Sequence, residues 1–404
     1  MAEEQPEYSL ADSGPIVEEY LRTGLAIGRH IEGFVDAYYG PPQLAAEAAQ
    51  GPVESPAALV QRTRRLLGDL ASDGDLDAAR RRWLRAQALG LHTTARKLNR
   101  EAIGYLDEIE SCYGVRARFV PEDEFAEAHR RLDEALPGEG DLRERYISWR
   151  EAQVVPVDVL GDAVRALAED FRSRTSKIFG LPDGEHVEFE LVGNKPWGGF
   201  NYYMGNLHSR VAINTDLPVL SVTLGTLVAH EAYPGHHTEH CRKEVGLVRR
   251  QRHLEETIFL VGTPQCLIAE GLADLGLEVI AGSRPEPVLA EHLRPLKVPY
   301  DADLAAELSD ATQALRSVRG NAAIMIHDRG ADADEATDYV ARFALVPQAR
   351  AAKAVQFLVD PTWRAYEFCY LDGLRLCRSF VGGQAHRFER LISEQLIPAQ
   401  LVAA

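Results

Sequence analysis

The stretch His230-Glu231-Ala232-Tyr233-Pro234-Gly235-His236-His237-Thr238-Glu239-His240 decides how this chain is read; it follows an apolar, periodic run from Leu217 to Ala229. Four imidazoles and two carboxylates fall within eleven residues. Imidazole and carboxylate are the ligands of a catalytic zinc that keeps one position open for water. A His-Glu pair also begins the common zinc-peptidase motif, whose Glu is the general base and whose second His lies one helical turn further on. Here Pro234 occupies that second position. An unbroken helix would carry His237 two turns, roughly 10 Å, from His230, too far for both to hold one ion. Pro234 removes the amide that would bond back to the carbonyl of His230, so the helix must open, bulge or stop there. Gly235 accepts whatever dihedrals the extra residues need. If two residues bulge out, His236 takes the place of the second ligand, and such bulges are frequent at functional sites. A competing frame sits in the same residues. His236-His237-Thr238-Glu239-His240 matches the inverted His-x-x-Glu-His motif, with His236 and His240 as ligands and Glu239 as base. The spacing leaves open which frame is used, and whether His236 or His237 ligates.

A second stretch carries chemistry. In Leu267-Ile268-Ala269-Glu270-Gly271-Leu272-Ala273-Asp274-Leu275-Gly276-Leu277-Glu278, three carboxylates are spaced four apart on one helical face among apolar neighbours. A carboxylate on a mostly buried helix wants a cation, either a metal or an arginine. The metal reading makes Glu270 the third ligand, with Asp274 accepting the free ring N–H of a ligating His and fixing its tautomer.

Around these stretches the chain divides by pattern. Residues 1–180 read almost wholly as helix, broken at Gly40-Pro41-Pro42, Gly51-Pro52, Asp73-Gly74 and Leu136-Pro137-Gly138. Residues 181–404 are the expected catalytic region. It opens with strands over 186–214, where His186 to Val192 and His208 to Asn214 alternate and Gly205-Asn206 forms a turn. Metal-bearing helices over 217–240 and 265–281 and further helices over 300–400 follow. The expected architecture is one continuous, mainly α globule with a small three-stranded antiparallel sheet beside the metal helix. A strand placed there can hold an extended peptide through main-chain hydrogen bonds.

Composition narrows the class. The 404 residues are 46% hydrophobic and 26% charged, with a net charge of −17, which argues against a nucleic-acid surface. The five cysteines, at 112, 241, 266, 369 and 377, are odd in number and form no Cys-x-x-Cys pair, pointing to reduced thiols in a cytoplasmic protein. The acidic start Met1-Ala2-Glu3-Glu4-Gln5-Pro6-Glu7 is no secretory signal, and no apolar run approaches the ~18 residues of a membrane span. No feature of the sequence fixes an oligomeric state.

The motifs resemble a known bacterial set, the family called domain of unknown function 885. Its pattern is matched by Ser209-Arg210-Val211-Ala212-Ile213-Asn214, by Leu217-Pro218, and by His230-Glu231-Ala232-Tyr233-Pro234-Gly235-His236-His237. Glu270-Gly271-Leu272-Ala273 and Tyr370-Leu371-Asp372-Gly373 continue it, so the resemblance spans roughly the C-terminal half. It implies a helical, zincin-like metallopeptidase similar to the thimet-oligopeptidase and Taq-carboxypeptidase group, with zinc held by His230, one of the His236/His237 pair and Glu270. Glu231 would activate water and Tyr370 would face the oxyanion. The chain departs from the pattern where a Gln is replaced, with Tyr366 nearby, and where a His expected after Asp328-Arg329-Gly330 is missing, with Asp332 in its vicinity.

The expected function is that of a zinc hydrolase with one Zn2+ per chain, cleaving peptides, with a small amide or ester as the alternative substrate. Glu231 and Tyr370 are the expected catalytic groups, His230, His236 and Glu270 the ligands, and Asp274 the support. Arg210, Asn214 and Tyr366 are expected to bind substrate. The rival from another class is a partner-binding scaffold that hydrolyses nothing.

Overall fold

The computed structural model describes Tyr8, residues 13–195 and residues 197–402. The acidic start of the chain lies outside these residues. Eight helices precede the first long sheet: α1 (Pro15–Gly28), α2 (Pro42–Gln50), α3 (Pro56–Ser72), α4 (Ala78–Leu98), α5 (Tyr105–Tyr113), α6 (Glu122–Ala135), α7 (Leu142–Glu151) and α8 (Val157–Phe179). Their ends follow local chemistry. Ser55 and Asp77 cap α3 and α4 with their side-chain oxygens, and Gly180 stops α8 with positive φ. In α8, Leu160, Val164, Leu167, Phe171 and Phe179 form one buried stripe, as their three- and four-residue spacing requires.

One strand interrupts this helical half against expectation. Val35–Tyr38 (β1) pairs antiparallel with Ile258–Leu260, some 220 residues later, with a bulge between Val35 and Ala37. A strand of four residues is too short to show a period of two, and the partner is remote in sequence.

The sheet over 186–214 corrects the expected topology. Its strands β2 (His186–Val192), β3 (Gly199–Gly205) and β4 (His208–Asn214) stand in the order β2-β4-β3. β3 and β4 form the expected antiparallel hairpin, but β2 pairs with β4 in parallel. The sheet is therefore mixed, because the segment after β2 crosses to the far side of β4 before β3 begins. Ile258–Leu260 is β5.

The remaining helices are α9 (Ser221–Glu231), α10 (His236–Lys243), α11 (Pro264–Ala281), α12 (Glu286–Leu293), α13 (Ala302–Thr312), α14 (Val318–His327), α15 (Ala333–Phe343), α16 (Gln348–Val359), α17 (Glu367–Val381), α18 (Ala385–Leu391) and α19 (Pro398–Val402). Trp363 and Tyr366 lie in the turns before α17, and Phe368 and Tyr370 within it. Asp332 caps α15, accepting from the Glu335 amide at 2.8 Å.

α11 lies at the centre and is buried nearly all round. Its approach to α17 is backbone on backbone: a Cβ on Gly271 would lie 2.2 Å from the carbonyl carbon of Gly373. One hydrophobic core joins α5, α6 and α8 to the sheet, α9, α11 and the C-terminal helices. A second, built on α1, α3 and α4, is closed by Val248, Leu254, Ile258 and Leu260. Among the described residues no helix is long and apolar enough to cross a membrane.

Candidate metal centre

The helix carrying the histidines breaks as its Pro-Gly pair demands. α9 ends at Glu231, the Tyr233–Pro234 peptide is cis, and α10 begins at His236. Across the break the Gly235 amide donates to the Ala229 carbonyl and the Thr238 amide to the Ala232 carbonyl, each six residues back rather than four. Two residues have thus bulged out of the helical path. Only glycine fits at 235, because a Cβ there would lie 1.9 Å from the carbonyl oxygen of His230. Gly276 of α11 leaves room for the Pro234 ring, where a Cβ would meet Pro234 Cδ at 2.9 Å.

The bulge brings His236 back to His230. Their Nε2 atoms lie 3.1 Å apart with the rings perpendicular. Glu270 of α11 completes the cluster, its Oε2 3.3 Å from His230 Nε2 and its Oε1 3.7 Å from His236 Nε2. The three donor atoms lie within 4.8 Å of one another.

Each member is held from behind. His230 Nδ1 lies 2.9 Å from Asp274 Oδ1, which fixes the ring so that Nε2 faces the cluster. Arg316 pairs with the other oxygen of Asp274. The Tyr366 hydroxyl donates to Glu270 Oε1 at 2.7 Å, while Glu270 Oε2 is buried with no hydrogen-bond partner among the described residues. Glu278, the third carboxylate of the series, takes Arg378 at 3.0 Å. Of the two readings of that helix face, the arginine one thus holds for Glu278 and in part for Asp274, whereas Glu270 faces His230, His236 and the Tyr366 hydroxyl.

The other histidines of the stretch are engaged elsewhere. His237 is wholly buried, with Nε2 2.8 Å from Glu185 and Nδ1 2.8 Å from the Ser209 hydroxyl. His240 stacks on Tyr203 at 4.6 Å, and Glu239 is tied to Lys243 at 2.8 Å. The inverted frame is not assembled.

Glu231 ends α9 beside the cluster with its side chain buried, and its backbone carbonyl accepts from Asn201 Nδ2 of β3 at 2.6 Å. Burial pushes its carboxyl up to about 7, with Glu270 and Asp274 adding to the rise and His230 opposing it. Burial opposes charge on His230 as well, but the bonds to Asp274 and Glu270 win and raise it well above the usual imidazole range. Burial and the neighbouring His230 bring His236 down to about 4. Asp36, at the bulge of β1, was missed from sequence. Burial and then the charges of Glu270 and Glu231 push it up to about 8, and no hydrogen bond reaches its carboxyl from the described residues. Its only signal was a lone acid within Phe34-Val35-Asp36-Ala37-Tyr38. Arg316 gave no signal at all.

The donor set therefore passes a test for a divalent cation. Four carboxylates, those of Asp36, Glu231, Glu270 and Asp274, gather in a largely buried space, and among the described residues Arg316 is the one guanidinium bonded to them. Two imidazole nitrogens meet the Glu270 carboxylate, whose Oε2 has no hydrogen-bond partner among the described residues. Buried negative charge of this kind is stabilised by a bound cation or a proton, and the bonds to Asp274 and Glu270 that raise His230 act in the same sense.

The other expected site residues, catalytic Tyr370 and the substrate groups Tyr366, Arg210 and Asn214, divide. Tyr370 stands against Tyr366, with ring centroids 5.4 Å apart, and feels the charges of Glu270, Asp274 and Glu231. Tyr366 itself supports the Glu270 carboxylate. Arg210 is corrected. Strand alternation turns it to the opposite face of the sheet from Ser209 and His237, where it pairs with Glu190 at 3.5 Å and lies over the Tyr202 ring. Asn214 is corrected too: its amide holds the turn before β3, donating to the carbonyls of Lys195 and Trp197 at 2.9 Å each.

No family model matches this chain, and no curated protein matches it. Solved structures do. A crystal structure from Colwellia psychrerythraea, of a protein provisionally described as a lipoprotein, superposes with a TM-score of 0.54 at 15% identity, over 89% of this chain and 71% of that one. The likeness is one of fold. A second protein given the same provisional description, from Shewanella oneidensis and of unknown function, gives a TM-score of 0.49 at 14% identity, over 89% of this chain and 75% of that one.

Proposed function

We propose that the chain is a zinc-dependent hydrolase of zincin-like design that cleaves peptide bonds, with one zinc held by His230, His236 and Glu270. The observation that carries this reading is the convergence of those three donors across the two-residue bulge, with Glu231 one residue from the first ligand. A zinc bound there supplies Lewis acidity toward a scissile carbonyl and lowers the pKa of a water to around 7. Glu231 takes the proton of the attacking water and delivers it to the leaving amine. Asp274 orients His230, and Tyr366 orients Glu270. The Tyr370 hydroxyl donates to the developing oxyanion. A peptide is favoured over a small amide or ester because β3 is the outer strand of its sheet and its Asn201 bonds the backbone of Glu231. An outer strand so placed can hold an extended chain. The five cysteines are free and buried, which fits the reducing cytoplasm.

The test is metal content by mass spectrometry on dialysed wild type, His230→Ala and Glu270→Ala, followed by cleavage of a peptide library by wild type and Glu231→Gln. About one zinc lost in both ligand variants, with cleavage lost in Glu231→Gln while zinc is kept, is the expected result. Absence of zinc binding after zinc is added back would overturn the reading.

A further inference from the structure

The outer face of the mixed sheet carries a second group of donors. In the parallel ladder His186 of β2 stands opposite His208 of β4. Glu188, two residues along β2, points to the same face. Their imidazole rings lie 5.4 Å apart. Both Nε2 atoms converge on a single carboxylate oxygen, Glu188 Oε1, at 3.9 Å from His186 and 3.7 Å from His208. All three donor atoms fall within 4.8 Å. His208 Nε2 is shielded from solvent and has no hydrogen-bond partner among the described residues. The charged neighbour that would compete is occupied: Arg210 stands opposite Glu188 in the ladder, yet bonds to Glu190 and lies over Tyr202. Glu188 is left to the histidines.

We propose that His186, Glu188 and His208 form a second zinc site, separate from the one in the helices. Bonds of about 2.0–2.2 Å from zinc to imidazole nitrogen and carboxylate oxygen set neighbouring tetrahedral donors roughly 3.4 Å apart. The two spacings to Glu188 exceed that by a few tenths of an ångström, and all three donors lie within 4.8 Å, so side-chain rotations must close the set around an ion. Two imidazoles favour zinc and its late first-row neighbours over calcium or magnesium, which take oxygen donors. His186 and Glu188 are solvent-exposed, so the fourth position opens to water. An ion there clamps the first turns of the ladder between β2 and β4. It also steadies Glu185, the residue before His186, which holds the buried His237.

The proposal is tested by zinc titration, read by calorimetry and by mass spectrometry, on full-length wild type, His208→Ala and Glu270→Ala. Two zinc ions in wild type and one in each variant is the expected result. Glu188→Gln should weaken the second ion at least tenfold while the first stays unchanged. The site is overturned if His208→Ala and wild type bind the same number of ions with the same affinities. Should Glu270→Ala fail to fold, the comparison of wild type with His208→Ala decides alone, since both keep the helical site. A single ion in wild type, kept in Glu270→Ala and lost in His208→Ala, would refute the hydrolase reading and leave this one standing.

Discussion

Replacing Glu231 with Gln separates what the carboxylate does to stability from what it does in chemistry. Only 6% of the residue is exposed, and its carboxyl is pushed from 4.5 up to about 7 by burial and by the neighbouring acids. A carboxyl raised in the folded state binds its proton more tightly there than in the unfolded chain. The metal-free protein must therefore lose stability as the pH rises from about 4.5 to about 7, with no further loss above that. At about 1.4 kcal/mol per pKa unit, the cost at pH 8 is about 3 kcal/mol. Gln has nearly the same shape and carries no charge, so chelator-treated Glu231→Gln should melt with wild type near pH 4.5. At pH 8 it should melt roughly 3–4 °C higher, given the unfolding entropy of a chain this long. Thermal unfolding followed between pH 4.5 and 8.5 measures the gap. A gap that stays constant across that range would show that the carboxylate is not held against the cluster. With zinc restored, the variant should bind the ion and lose about 10²–10⁴ in kcat on any cleaved peptide. Turnover at the wild-type rate would remove Glu231 from the reaction.

Tyr366→Phe deprives Glu270 of its hydroxyl donor and should lower zinc affinity about 10- to 100-fold in a chelator competition, whereas Tyr370→Phe should leave affinity unchanged and lower kcat. His237→Ala should keep one zinc in the helical site yet lose roughly 2–4 kcal/mol in urea unfolding, because it strips the buried Glu185 of one partner; zinc lost from that site would make His237 the ligand instead. Gly271→Ala should force α11 and α17 apart, costing about 1–3 kcal/mol or more and weakening zinc binding, since Glu270 rides on the displaced helix; an unchanged melting curve would contradict the close approach at Gly373.

The ordering of the chain into helices was legible because α8 and α11 carry their periodicity, caps and breakers locally. The ligand frame was partly legible. Pro234 and Gly235 announce a break, and the number of residues that must bulge follows from helix geometry. Whether His236 or His237 joins His230 was not legible, because adjacent residues on a resuming helix differ only in the direction they face. That direction is set by Glu185 and Ser209, which claim His237 from a turn and a strand well removed in sequence. The same limit applies to Arg210. Its strand was evident, but the face it occupies depends on which side packs against α10. Asp36 and Arg316 approach the site from elements far along the chain, β1 and the turn before α14, and no local pattern marks them. The parallel pairing of β2 with β4, which brings His186 to His208, is likewise a matter of how the chain crosses over. Sequence by itself determined which residues are able to bind a cation and where the helix must break. Tertiary packing decided which of them meet, because each imidazole turns toward whichever partner satisfies its buried nitrogens.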